Sequence, residues 1–211
     1  MSAIYVGAHD IAHGEAKRLR DPRYRKQYEL AYQEDLKKYD GELTLDRANE
    51  RLLVQSKTRP MNRYLLKPEN VDGDIAIENA FELGEVVEIL YGEKLPTVRL
   101  WIHFKEYIIG GVPDGITDDY VYEFKATTQS GRRVEDVKRR AVRQALIYAY
   151  AFKRPNIKVQ VAHFQLPKDA FPLKVKDLPK PDVATTSRPA SDDETLAILC
   201  GFDKAFHGSD E

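Results

Sequence analysis

The hydrophobic period of the chain changes repeatedly between Thr97 and Leu166, and few folds accommodate the order of the changes. TVRLWIHFKEY alternates Val98, Leu100, Ile102 and Phe104 against polar positions, the period-two pattern of a half-buried strand. YIIGGVPDGI predicts a second strand running into a turn at Pro113-Asp114-Gly115, and DDYVYEFKAT, rich in Tyr, Val and Phe, a third. The Thr117-Asp118-Asp119 stretch is a natural hairpin loop. The period then lengthens. Val137, Ala141, Ala145 and Ala149 recur at helical spacing, so a helix is expected over 133–152, stopped by Lys153-Arg154-Pro155. KVQVAHFQL, 158–166, returns to strand. Three strands, a long helix and a fourth strand predict an α/β fold, with a mixed central β-sheet flanked by helices.

Upstream, residues 15–60 read as helical, with a second short helix opening at Thr44 as N-cap and a proline-containing loop over 61–71. A helix over 74–91 should bury Ile77, Phe81, Val86, Ile89 and Leu90. The end of the chain is Pro-rich and then acidic, a loose arm or a short helix near 192–200. The expected organisation is an N-terminal helical region over 1–72, a core over 73–168 and a C-terminal extension over 169–211.

The formal net charge of −1 conceals an uneven distribution. Seven acids against two bases lie in 182–211, so the other residues are net positive, and local patches rather than the total meet a polyanion. The single cysteine, Cys200, excludes an intramolecular disulfide. MSAIYVGAHDIAHGEAKRLR has no apolar core of a signal peptide, and no stretch is long and apolar enough to predict a membrane span. A cytoplasmic protein is expected.

Chemistry concentrates at Glu123-Phe124-Lys125. On a strand, Glu123 and Lys125 share one face and Phe124 anchors the other. Asp114, on the neighbouring strand, can be brought beside Glu123 by the hairpin. Two carboxylates held close call for a cation, and hard oxygen donors suit Mg2+ or Mn2+. The Phe124 backbone carbonyl can complete a ligand set that leaves room for substrate. A metal there fits phosphodiester hydrolysis, with Lys125 orienting or deprotonating a water or offsetting transition-state charge. Gln144 and Tyr148 lie four apart on the following helix, with Arg140 in the same row. A glutamine within RQALIYAYAF needs a hydrogen-bonding reason to be there.

The pattern GVPDG, VYEFK, QALIY resembles the RecB-like branch of the PD-(D/E)xK nucleases, to which the CRISPR-associated adaptation nucleases belong. The resemblance covers about 74–166 and matches Gly111 and Asp114, then Glu123 and Lys125, then Gln144 and Tyr148. It implies a restriction-endonuclease-like core in which Asp114 and Glu123 bind metal, Lys125 is catalytic, and Gln144 and Tyr148 position DNA. The family's upstream Gly-x-x-x-His maps onto Gly84 and Glu88, making Glu88 a further expected ligand. Many of the CRISPR-associated relatives hold a four-cysteine iron–sulfur cluster; one cysteine implies none here.

DNA is the expected partner. Arg132, Arg133, Lys138, Arg139, Arg140 and Arg143 form a basic patch, with Arg140 and Arg143 assigned to DNA positioning. Lys17, Arg18, Arg20, Arg23, Arg25 and Lys26, interleaved with Tyr24 and Tyr28, read equally as a single-strand-binding segment or a solvated helix face. The expectation is a metal-dependent deoxyribonuclease, exonuclease or endonuclease, favouring single strands with little sequence specificity, in repair, recombination or viral genome processing. A catalytically silent binding module on the same fold is the alternative. A homo-oligomer is left open, since lambda-type exonucleases form rings, and the acidic tail is a candidate docking element for a protein partner.

Overall fold

The computed structural model describes residues 3–38, 43–46, 51–54, 71–97, 99–128, 131–167 and 169–208. In chain order it runs β1 (Ile4–Gly7), α1 (Ala8–His13), α2 (Ala16–Leu19), α3 (Pro22–Lys38), β2 (Leu43–Asp46), β3 (Arg51–Val54), β4 (Ala76–Ile77) and α4 (Ala80–Tyr91). There follow β5 (Leu100–Phe104), β6 (Tyr107–Gly111), β7 (Gly115–Ile116), β8 (Tyr120–Thr127), α5 (Arg132–Phe152), β9 (Asn156–His163), β10 (Leu173–Lys174), β11 (Asp182–Pro189) and α6 (Asp192–His207). The fold is mixed α/β, with mixed sheets flanked by helices.

The larger sheet has the order β11-β9-β8-β7. β8 and β9 are parallel, while β7 and β11 run antiparallel to their neighbours. A parallel pair needs a long crossover, and α5 supplies it. Its row of Ala141, Ala145 and Ala149 has no bulk, so the helix lies close on the sheet in one core with Val121, Ile157, Val159 and Val161. Lys153, in the left-handed region at φ 53, ends the helix just before Pro155. α4 covers the opposite face, where Leu83, Val86 and Val87 pack with Tyr122, Phe124 and Phe164. A second sheet, β1-β6-β5, pairs β1 parallel and β5 antiparallel to β6. α3 covers part of it: Tyr32 packs edge-on to Trp101, whose indole N–H donates to Asp35 at 2.9 Å.

Several expectations change. The second strand is broken at Val112-Pro113-Asp114 into β6 and β7, which join different sheets. β1 is a strand in the N-terminal region expected to be helical. The described parts of the helix expected from Thr44 form an antiparallel pair, β2 with β3, in register Leu43 with Val54 and Leu45 with Leu52. The Leu-Thr-Leu-Asp alternation already carried that period of two. The loop expected over 61–71, apart from Val71, and Val98 lie outside the described residues. α4 begins at Ala80 rather than 74, because Asn79 accepts from the Phe81 and Glu82 amides at 2.9 and 3.1 Å. Phe81 and Leu90, 74% and 45% exposed, fall outside the buried face assigned to them.

The C-terminal segment is an edge strand and a sixteen-residue helix, longer than the expected short one. Its acids have structural work. Ser191 accepts from the Glu194 amide at 3.2 Å, and Asp192, Asp193 and Glu194 sit in the first turn, where the helix dipole favours negative charge. At the other end, Arg20 donates to the carbonyls of Ala205, Phe206 and Gly208. Among the described residues no helix is long and apolar enough to cross a membrane.

Two glycine substitutions should move stability in opposite directions. A Cβ at Gly110 would overlap the Trp101 ring, whereas one at Gly84, inside α4, meets nothing within 4 Å. In urea unfolding, Gly110→Ala should lose roughly 1–3 kcal/mol, and Gly84→Ala should gain about 0.5–1 kcal/mol from helix propensity.

Candidate active site

The break in the second strand builds the site. The register of Gly115 with Tyr122 sets Asp114 opposite Glu123. With β7 ended there, the Phe124 N–H has no ladder acceptor on that side, and the Asp114 carboxylate takes it at 2.7 Å. In an extended residue the amide and carbonyl point to the same side. The Phe124 carbonyl therefore faces the same opened edge, beside Asp114.

Alternation along β8 sends Tyr122 and Phe124 to the α4 layer and Val121 to the α5 layer, so Glu123 and Lys125 share the α5 side. The Lys125 ammonium donates to Glu123 and lies 3.8 Å from Asp114 Oδ2. Glu123 is fully buried, while the Lys125 and Asp114 side chains keep 26% and 14% of their exposure, enough for a solute to reach them. One cation thus faces two carboxylates, and a buried carboxylate survives as an anion only with such company.

From α5, the Gln144 amide nitrogen donates to the Tyr148 hydroxyl at 3.2 Å. The Gln144 carbonyl oxygen is buried without a hydrogen-bond partner. Burial, and secondarily the Glu123 charge, push the Tyr148 phenol well above its ordinary range, so it stays protonated. A Cβ at Gly111 would meet the Tyr148 hydroxyl at 2.5 Å, which ties the glycine before the break to the tyrosine on the helix. The structure thus gathers Asp114, Glu123, Lys125, Gln144 and Tyr148.

A sixth participant comes from α1. His9 stands near Lys125 and the Gln144 amide; burial first, then the Lys125 charge, lowers its pKa. His13, one turn on, stacks with it at 3.9 Å between ring centroids. Burial, then His9 and Arg140, lower the His13 pKa to about 4. α1 is fixed by Asp10, almost fully buried, which accepts from Tyr28 at 2.6 Å. A Cβ at Gly7 would strike both partners of that bond. The sequence signal was the four-residue spacing of the two histidines in GAHDIAH.

Glu88 is placed differently. It lies on α4, whose buried residues pack on the Tyr122–Phe124 face. Gly84, its motif partner, has open space around it, so the Gly-x-x-x-Glu match carries no packing requirement. His9, from α1, stands beside Lys125.

The basic segments also differ from each other. Arg18, Arg23 and Lys26 are ion-paired to Glu15, Asp21 and Glu29, and Arg20 caps α6. On α5, Arg139 pairs with Asp136, while Arg132, Arg133, Lys138, Arg140 and Arg143 form no ion pair among the described residues. Elsewhere, Glu106, Asp203 and His207 bring ligand-type atoms within 4.8 Å of one another. Lys105 and Tyr107 already engage Asp203 there, as in an ordinary surface network. The chain matches no protein-family model, and no curated protein aligns with it significantly.

The neighbouring cations set a checkable titration. His13 should titrate near pH 4 by NMR, and Arg140→Ala should raise that value toward 6.5. Because the fold disfavours the imidazolium, His13 should withdraw stability as pH falls from about 6.5 toward about 4.

Proposed function

We propose that this chain is a divalent-metal-dependent deoxyribonuclease of the PD-(D/E)xK kind, hydrolysing phosphodiester bonds with little sequence specificity and a preference for single strands. The observation that carries the reading is the convergence of Asp114, Glu123 and Lys125 at the broken strand. The donor set fits Mg2+ or Mn2+: two carboxylates, the Phe124 carbonyl facing the same edge, and the His9 imidazole, held neutral by burial and Lys125. The buried, unpartnered Gln144 oxygen adds an acceptor beside them. The chemistry such a metal supplies is polarisation of the scissile phosphate and acidification of a water.

The protein's own groups do the rest. Asp114 and Glu123 would hold the cation, and Asp114 is aimed by the Phe124 amide. Lys125, at present facing both carboxylates, stands where it can orient the attacking water or offset charge on the phosphoryl oxygens. Tyr148, kept protonated, and Gln144 are hydrogen-bonding groups toward the substrate backbone. With one cysteine, no iron–sulfur cluster belongs to the proposal. Repair, recombination or viral genome processing would use such an activity, in the cytoplasm.

End-labelled single- and double-stranded DNA, incubated with and without Mg2+ or Mn2+, tests it. Cleavage should require metal and fall by at least a hundredfold, about 2.7 kcal/mol in barrier, in Asp114→Ala and Lys125→Ala. His9→Ala and Glu88→Ala should each weaken metal-dependent cleavage. Cleavage surviving both Asp114→Ala and Lys125→Ala would remove this site. DNA bound but uncut in both metals would assign the silent binding module instead.

A further inference from the structure

The unpaired cations of α5 are arranged in relation to the site. At 100° per residue, Arg133, Arg140 and Gln144 fall within about 40° of one another around the helix, and the row spans about 16 Å along its axis. Gln144 is its buried end, at the carboxylates; Arg140 and Arg133 are exposed and lead outward. Arg140 is close enough to His13 to act on its charge, so the row starts at the site and does not merely point toward it. Beside it, Arg132, Lys138 and Arg143 also form no ion pair among the described residues. In the other basic segment, Arg18, Arg23 and Lys26 are each held by a carboxylate.

We infer that a single DNA strand lies along the Arg133–Arg140–Gln144 row, its phosphates on the two guanidinium groups and its backbone reaching the carboxylates at Gln144. This rests on the nuclease reading for what happens at the end of the row and for the single-strand preference, and it adds the path. One line of free arginines neutralises one backbone. A duplex presents two, and in the N-terminal segment Arg18, Arg23 and Lys26 are already engaged by carboxylates.

The test is binding of a fluorescein-labelled oligothymidylate to the full chain in EDTA, across a sodium chloride series. Each phosphate contact on a single strand contributes about 0.7 to the slope of log affinity against log salt. Arg133→Ala and Arg140→Ala should each lower the slope by about 0.7, and the double variant by about 1.4. Arg133→Lys should keep it, and Arg23→Ala, whose guanidinium is held by Asp21, should not change it. The single strand should bind more tightly than a duplex of equal length. An unchanged slope in the double variant, with unchanged melting temperature, would overturn the path. So would an Arg23→Ala loss equal to that of Arg133→Ala, and tighter duplex binding would overturn the strandedness. Because binding is read without metal, absence of cleavage would count against the nuclease reading alone.

Discussion

The hydrogen bond from the Phe124 amide to the Asp114 carboxylate is the contact on which the site depends. It exists because the second strand breaks at Val112-Pro113-Asp114 and leaves the edge of β8 without a ladder partner. A side chain fills the place of a strand, and in doing so fixes a carboxylate opposite Glu123. Lys125 then faces both acids from the same strand. Three charged groups are held on one layer of a sheet whose other layer is apolar, and that separation keeps the buried Glu123 from being an unpaired charge.

What surrounds this group is built to stay uncharged. Tyr148 is held protonated by burial, and His9 and His13 are held neutral by burial and by neighbouring cations. Neutral imidazoles bind metals and neutral phenols donate hydrogen bonds. The lysine and arginine charges that suppress the imidazolium forms are also the charges a phosphodiester would meet. The proposed metal-holding and phosphate-holding roles therefore draw on one arrangement.

Much of the site was legible in the sequence because it rests on short-range periods. Alternation puts Glu123 and Lys125 on one face, a hairpin brings Asp114 alongside, and a four-residue spacing pairs Gln144 with Tyr148. The crossover helix and the strand after it followed from the same periods. The contribution of α1 was not legible in that way. It is a six-residue helix, too short to show a periodic face, and it reaches the site only by docking on α5, more than a hundred residues away in sequence. Glu88 was read from a matching spacing alone, and the packing of Leu83, Val86 and Val87 on the Tyr122–Phe124 face fixes the helix that carries it. The acidic end was read from composition, whereas Ser191 and Arg20 make it a capped helix.

The central claim is that the opened edge between Asp114 and Glu123 is a divalent-cation site. Crystals of the chain soaked in manganese chloride, with diffraction recorded at the manganese absorption edge, address it directly. The account predicts an anomalous peak between the Asp114 and Glu123 carboxylates, within bonding distance of the Phe124 carbonyl. Absence of density there at saturating manganese, or a peak confined to Glu106, Asp203 and His207, would contradict it.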